Sequence, residues 1–157
     1  MQTITPFLWF DSQAEQAAEF YVSVFPDSEI LSVARYGEAG PGPAGSVMVV
    51  DFKLRGQEFN ALNGGPIYVL SPAVSFVVDC QTQDEVDHYW DSLLADGGKP
   101  VQCGWLVDKF GLSWQIVPRR LNELMASSDP EVAKRVTEAM LKMIKLDIAE
   151  LEAAAAG

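Results

Sequence analysis

Hydrophobic and polar residues alternate in short runs over the first 118 residues, a pattern that predicts β-strands. The first half contains the predicted strands "ITPFLWF", which begins near Ile4, "EILSVARY", "SVMVVDFKL" and "QEFNALN". Arg55–Gly56–Gln57 is a predicted hairpin turn, and the glycine- and proline-rich stretches "GEAGPGPAG" and "GGPIYVLSP" are predicted loops. The second half contains the predicted strand "AVSFVVD", and then "KPVQCGWLVD" and "LSWQIVP" on either side of the turn "DKFG".

One helix is predicted in each half, directly after its first strand. The first covers about residues 13–24, with Ser12 and Glu15 as a capping box at its start. Thr82 and Glu85 repeat this capping box seventy residues later. The second helix has apolar residues at helical spacing: Val86, Tyr89, Trp90, Leu93 and Leu94. The match between the two halves predicts a duplicated β-α-β-β-β unit.

The pattern changes in residues 119–157. Asp129 and Pro130 are typical of a helix start, and a single helix is predicted from about Pro130 to Ala155. Its apolar residues cover close to two faces, although a surface helix needs one. We therefore expect this helix to contact both its own domain and a second surface, most simply that of a dimer partner.

Composition limits the possible functions. A net charge of −11 argues against nucleic acid and anionic membrane surfaces as partners, because both attract clustered Lys and Arg. No apolar run is long enough to cross a bilayer, and the start of the chain does not resemble a signal peptide. Two cysteines, Cys80 and Cys103, in such a chain suggest reduced thiols and a cytoplasmic location.

Five stretches together resemble a known family: "ITPFLWF", "AEFYVSVFPDSEI", "FNALNGGP", "CGWLVDKFGLSWQIVP" and "AMLKMIKLDIAELEAA". They are similar to the PhnB-like branch of the vicinal oxygen chelate superfamily, which includes glyoxalase I, extradiol dioxygenases and bleomycin-resistance proteins. The branch is often labelled "3-demethylubiquinone-9 3-methyltransferase-like". However, the chain has neither a glycine-rich strand-to-helix turn of the sort that cradles S-adenosylmethionine nor a doubly wound β-α alternation.

The resemblance implies an α+β fold with two β-α-β-β-β modules whose curved sheets enclose a cleft, in a homodimer. We place the modules at residues 1–66 and 67–118 of a single domain, followed by a helical extension over residues 119–157.

Enzymes of this superfamily typically hold a divalent metal on inward-facing strand residues, commonly His and Glu. Carried over to this chain, those positions fall near Pro6, Asn60 and Ala73 and on Gln115. Two of them lack a donor side chain, and neutral amides are poor ligands for zinc, iron or nickel. The single histidine, His88, lies off the apolar face of the second helix and is predicted to face solvent. We therefore expect no metal and no cofactor.

Four residues are predicted to contact a small-molecule ligand: Gln115, Asn60, Trp9 and Trp105. Buried amides need hydrogen-bond partners, so Gln115 and Asn60 could bind a ligand, or could bond to each other or to the backbone. Trp9 and Trp105 could line an apolar pocket or could pack in the core.

The sequence assigns no catalytic residue. Cys103 has no base nearby in sequence, so a structural thiol is expected. Asp51 or Glu58 could act as a general acid or base, but both are expected to face solvent, and Asn63 is expected to make a turn.

The favoured function is binding of a small organic ligand in a metal-free cleft. The alternative is an enzyme that acts on a small oxygenated substrate, either a glyoxalase-like lyase or isomerase or the methyltransferase of the family label.

Overall fold

A computed structural model describes residues 2–157, which divide into two compact units, 2–70 and 71–157. The first unit contains β1 (Phe7–Phe10), α1 (Ala14–Val24), β2 (Ser28–Arg35), β3 (Val47–Leu54) and β4 (Gln57–Asn63). Its sheet has the order β1-β4-β3-β2, with β1 and β4 parallel and the other pairs antiparallel.

The second unit repeats this arrangement. It contains β5 (Ser75–Cys80), α2 (Gln83–Leu94), β6 (Lys99–Pro100), β7 (Trp105–Val107) and β8 (Ser113–Pro118). The sheet order is β5-β8-β7-β6, again with one parallel pair, β5 and β8. The predicted pair of β-α-β-β-β modules is therefore confirmed. Three helices follow: α3 (Arg119–Met125), α4 (Pro130–Met140) and α5 (Ile148–Ala156).

The core of the first unit lies between α1 and one face of its sheet. Small residues of α1, Ala14, Ala17 and Ala18, are completely buried. Tyr21 stacks on Phe52 of β3, and Phe52 stacks on Phe59 of β4. Because strand side chains alternate between faces, burial of every second residue on β3 and β4 leaves the remaining residues on the opposite side.

The N-terminus of α1 is capped from another strand, and the predicted Ser12–Glu15 capping box is wrong. The Asn63 side-chain oxygen accepts a hydrogen bond from the Ala14 backbone N–H, at 2.8 Å. The Asn63 amide nitrogen donates to the Val47 carbonyl, at 3.2 Å. Asn63 therefore joins α1, β3 and β4. The Ser12–Glu15 motif was misleading because the hydrogen bond from Ala14 to Asn63, which is distant in sequence, caps the helix instead.

The capping box of α2 is confirmed. Thr82 is the N-cap residue, and its hydroxyl accepts from the Glu85 N–H at 3.2 Å. The Glu85 carboxylate in turn accepts from the Gln81 N–H at 2.6 Å.

Two predicted strands are shorter in the structure. β1 begins at Phe7, since Ile4 and Thr5 lie outside the ladder and Ile4 is 95% exposed. "KPVQCGWLVD" forms two strands, because Cys103 and Gly104 both have positive φ, 60° and 82°, and bend the chain ahead of Trp105.

A buried carboxylate organises the hairpin between β7 and β8. Asp108 is 3% exposed, and one of its oxygens accepts from the backbone N–H groups of Phe110 and Leu112, at 2.8 and 3.0 Å. The other oxygen accepts from Trp114 Nε1 at 2.9 Å. These bonds fix the turn and also hold the Trp114 ring in the core.

The single tail helix predicted from Pro130 to Ala155 is wrong. The helix ends at Met140, and a second helix starts at Ile148 after the N-cap residue Asp147. Between them, the carbonyls of Met143 and Ile144 accept hydrogen bonds from the backbone N–H groups of Cys103 and Gly104, at 2.9 and 2.8 Å. The residues at the break are good helix formers, so their pattern did not reveal this long-range pairing.

Much of the apolar surface of the tail is buried by its own fold, although Leu141 and Ile144 stay 57% and 55% exposed. The helices α3, α4 and α5 enclose a core of Leu121, Leu124, Val136, Met143, Leu146 and Leu151. The homodimer stays a prediction.

Gln83 and Asp87 of α2 also hold the tail in place. The Gln83 amide nitrogen donates to the Leu146 carbonyl at 3.2 Å, and its oxygen accepts from the Ile148 N–H at 2.8 Å. Asp87 forms an ion pair with Lys145 at 2.8 Å. The hydrogen bond from Lys145, and then that from Gln83, lowers the pKa of Asp87, and the bond to Asp87 raises the pKa of Lys145.

Replacing Asn63 by alanine is expected to lower the free energy of unfolding by about 1–2 kcal/mol, because α1 loses its cap and the Val47 carbonyl loses a donor. Ser12→Ala is the matched control. It is expected to change the same quantity by less than about 0.5 kcal/mol, because the Ser12 side chain is exposed and caps nothing. Urea unfolding of both variants measures the difference, and an equal loss in both would contradict this account of the cap.

Lys145→Gln is expected to lower the free energy of unfolding at pH 7 by less than about 1 kcal/mol, because both partners are more than a third exposed. The Asp87 contribution is fully present above its ordinary pKa of 3.8 and is lost as the pH falls through the lowered folded-state value. The Lys145 contribution is present below 10.5 and is lost as the pH rises through the raised value.

The measurement is the difference in urea unfolding between Lys145→Gln and wild type across this pH range, with exposed Lys142→Gln as the control. A difference that widens below pH 3.8 would show that the ion pair has been assigned the wrong sign.

Candidate functional site

The first sheet has α1 on one side, and its other side, called here the open face, carries half-buried and exposed side chains. Strand register places these side chains in rows across the sheet. The middle row, called here the Asp51 row, contains Ser32 of β2, Asp51 of β3, Asn60 of β4 and Phe7 of β1. Phe7 is 56% exposed, which is unusual for a phenylalanine and leaves its ring accessible.

A hydrogen-bond network holds the polar part of this row. One Asp51 oxygen accepts from the Ser32 hydroxyl at 2.6 Å, and the other accepts from the Asn60 amide nitrogen. A carboxylate can only accept, so both partners turn a donor towards it. Asp51 was expected to face solvent, but it is half-buried and organises the row.

The neighbouring rows differ in character. On one side, Lys53 lies between Glu29 and Glu58, and its ammonium group contacts Glu29 at 3.3 Å. On the other side, Val49, Leu62 and Trp9 form an apolar row. The open face therefore changes from charged to apolar along the strands, with the Asp51 row between the two.

Trp9 is held by the loop that follows β4. Its indole Nε1 donates to the Gly65 carbonyl at 2.9 Å, and its ring packs directly on Gly64. Tyr68 contacts the ring edge-on, with centroids 5.0 Å apart. A side chain at Gly64 would overlap the ring, so this glycine fixes the position of Trp9.

The second unit carries an equivalent row. Gln115 of β8 lies between Val77 of β5 and Trp105 of β7. Its amide nitrogen donates to the Ser75 hydroxyl at 2.9 Å. Ser113, beside Ser75, has the one buried side-chain polar atom in residues 2–157 without a hydrogen-bond partner.

Register makes Asn60 and Gln115 equivalent positions. Asn60 is paired with Phe7 on the parallel first strand of its unit, and Gln115 is paired with Val77, seventy residues after Phe7. Pro6 and Ala73, near which the family's first-strand metal positions were expected to fall, both precede the first strands of their units. Each amide has a hydrogen-bond partner within its own unit, Asp51 for Asn60 and Ser75 for Gln115.

These positions do not fit a divalent metal. Phe7 and Val77 carry hydrocarbon side chains, and the two amides opposite them are neutral. Nowhere in the described part of the chain do three or more His, Cys, Asp or Glu side chains come together as a metal-binding group would require. His88 is exposed, as predicted, and lies beside the Tyr89 ring.

The first unit also has a cavity of about 500 Å³ at the start of α1. Three of its polar side chains are bonded internally: Asn63 caps α1, the Tyr36 hydroxyl donates to the Asn63 carbonyl, and Ser46 donates to the Pro43 carbonyl. None of the four predicted ligand residues lines it. Its volume is in the range of ligand sites, but its chemistry points less clearly to a ligand than the Asp51 row does.

Sequence reasoning proposed Asn60, Gln115, Trp9 and Trp105, expected Asp51 to face solvent and did not consider Ser32. A carboxylate between Val50 and Phe52 in an otherwise apolar strand was the available signal for Asp51.

No helix among residues 2–157 combines the length and apolar content that crossing a bilayer requires.

Comparison with known proteins identifies relatives. The 3-demethylubiquinone-9 3-methyltransferase family matches residues 2–117. The fold is similar to that of a PhnB protein from Bacillus cereus, with 40% identity, a TM-score of 0.68 and coverage of 74% of this chain and 99% of that one. No functionally curated protein matches the chain.

Two more distant structures share the fold. A Pseudomonas aeruginosa protein is 17% identical, with a TM-score of 0.63 and coverage of 75% of this chain and 98% of that one. The fosfomycin resistance protein FosX from Listeria monocytogenes is 14% identical, with a TM-score of 0.53 and coverage of 78% and 97%.

Gly64→Ala is expected to displace the Trp9 ring and to lower the free energy of unfolding by about 1–3 kcal/mol, because the new methyl group overlaps the ring. Gly37→Ala is the matched control, since a methyl group there meets open space without a positive φ. Urea unfolding and the indole N–H resonance of Trp9 measure the two effects. An unshifted Trp9 resonance in Gly64→Ala would show that this glycine does not position the ring.

Proposed function

The chain belongs to the 3-demethylubiquinone-9 3-methyltransferase family, the PhnB-like branch of the vicinal oxygen chelate superfamily, and from this premise we propose that it binds a small organic ligand without a metal ion. The proposed surface in the first unit is the open face around the Asp51 row. The equivalent row of Gln115, Val77 and Trp105 is the proposed ligand surface of the second unit.

One observation carries the proposal: a hydrogen-bonded polar group lies beside an exposed aromatic ring on a sheet face opposite the helix. Ligand sites combine apolar surface with a few placed polar groups, and Phe7 with Asn60 and Asp51 meets that description. A polar group held by Ser32 and Asn60 is already oriented, so binding does not have to order it.

Metal-free binding follows from the donor set. The first-strand positions paired with the amides, Phe7 and Val77, provide no imidazole, thiolate or carboxylate. Asp51 is a single carboxylate that already accepts from Ser32 and Asn60, and with two neutral amides it does not offset the dehydration of a divalent ion. An organic molecule can bind to this surface without any metal-coordinating side chain.

Methyl transfer is not part of the proposal. The connections from β1 to α1 and from β5 to α2 contain no glycine, so they lack the close backbone approach that a glycine-rich turn gives to a bound cofactor.

The cytoplasmic location also stays a prediction.

A library of small organic fragments, titrated in the presence of EDTA and followed by amide NMR shifts, tests the proposal. Fragments are expected to shift the backbone amides of Phe7, Trp9 and Asn60. Asn60→Leu is expected to weaken their binding about tenfold, because one hydrogen bond is worth roughly that factor. The control, Asn122→Leu on the exposed surface of α3, is expected to leave affinity unchanged.

Two results would contradict the proposal. One is fragment binding that leaves the sheet amides unshifted in both units. The other is stoichiometric zinc, iron, nickel or manganese in the purified protein that Asn60→Leu or Gln115→Leu removes.

A further inference from the structure

We infer that the ligand of the first sheet's open face is a small organic cation, with an ammonium or guanidinium group at Asp51 and an apolar part against Phe7. This inference rests on the proposed function and names the chemical class of its ligand. Three features of the Asp51 row support it: the direction of its hydrogen bonds, the balance of charge around it, and the aromatic ring at its end.

The hydrogen bonds leave acceptors facing outward. Ser32 uses its only hydroxyl hydrogen on Asp51, and Asn60 turns its amide nitrogen to the same carboxylate. What remains is the second lone pair of each Asp51 oxygen, the Asn60 carbonyl oxygen and the Ser32 oxygen, against a single remaining Asn60 N–H. A ligand rich in hydrogen-bond donors satisfies this surface, and one rich in acceptors does not.

The charges favour the same class. The open face carries three carboxylates, Glu29, Asp51 and Glu58, and one ammonium group, that of Lys53. Lys53 is already paired with Glu29, so Asp51 and Glu58 lack an ion-pair partner among residues 2–157. The other cation on these strands, Arg35, donates to the Gly45 carbonyl. A carboxylate or phosphate ligand would therefore meet repulsion at the centre of the row.

Phe7 supplies the complementary apolar contact. It is paired with Asn60 on the adjacent strand, so Phe7 and Asp51 lie two strand spacings apart, about 10 Å. An aromatic face also attracts cations, so the exposed Phe7 ring can contact either the apolar part or the cationic group of such a ligand. The ligand itself covers only part of this distance, because a hydrogen bond to Asp51 adds about 3 Å and a contact with the Phe7 ring adds about 4 Å. A molecule with an apolar group two or three bonds from its ammonium group is therefore long enough.

Three probes that share a phenylethyl group test the inference: 2-phenylethylammonium, 2-phenylethanol and 3-phenylpropionate, each titrated into the full chain and followed by amide NMR shifts. The ammonium probe is expected to shift the amides of Phe7, Asp51 and Asn60 and to bind at least about tenfold more tightly than the alcohol, because a hydrogen bond to a charged group is the stronger one. The propionate is expected to bind most weakly.

Three variants separate the attraction of a cation by Asp51 from its attraction by the net charge of the chain. The distinction matters because a chain of net charge −11 attracts cations over its whole surface. Asp51→Asn is expected to weaken the ammonium probe at least about tenfold. Lys53→Gln is expected to tighten it about two- to threefold, a gain that misfolding cannot produce. Glu19→Gln removes one exposed charge from α1, on the other side of the sheet, and is expected to change nothing.

The possible outcomes separate the two proposals. If 2-phenylethanol shifts the same amides as tightly as the ammonium probe, or the propionate binds best, the cation class is wrong while ligand binding on this face stands. Equal loss in Asp51→Asn and Glu19→Gln also overturns the cation class, because attraction would then be general. If no probe shifts these amides, the inference fails, and the neutral members of the fragment library decide the proposed function separately.

Discussion

The first unit depends on one constraint: its four-stranded sheet receives a single helix, α1, on one face. Side chains alternate along a strand, so every second residue of β3 and β4 is buried against α1 and its neighbours point the other way. Val50 and Phe52 therefore belong to the core, while Asp51 between them cannot. A shift of one residue in register would bury the carboxylate and expose the two apolar residues, so the same register specifies both core and site.

The parallel pairing of first and last strands gives the two units a common site position. Because β1 pairs with β4 and β5 with β8, Asn60 and Gln115 occupy matching places beside Phe7 and Val77. Yet their partners differ, since Asn60 binds a carboxylate and Gln115 binds a hydroxyl. The duplicated scaffold thus presents a charged polar group in one unit and a neutral one in the other, which favours different ligand groups on the two faces.

Sequence patterns predicted the elements well because strand and helix periodicity is local, and they made Asn60 and Gln115 candidates because amides are unusual on apolar strands. They failed where a residue distant in sequence determines the start or the end of a helix. Asn63 replaced Ser12 as the cap of α1, and the amides of Cys103 and Gly104 interrupted a tail that reads as one helix. Asp51 was misjudged for the same reason, since its partners on β2 and β4 are known only once the register is known.

The tail is bonded to the bend that precedes Trp105. The family match ends at residue 117, so α3, α4 and α5 lie outside it. Their connection is bonded to the Cys103–Gly104 bend, and Gly104 has no room for a side chain against Leu146 and the Ile116 carbonyl. Trp105 follows that bend directly and pairs with Gln115. The bonds that hold the tail therefore also fix the strand that places Trp105 beside the amide, which connects the extension to the ligand surface proposed for the second unit.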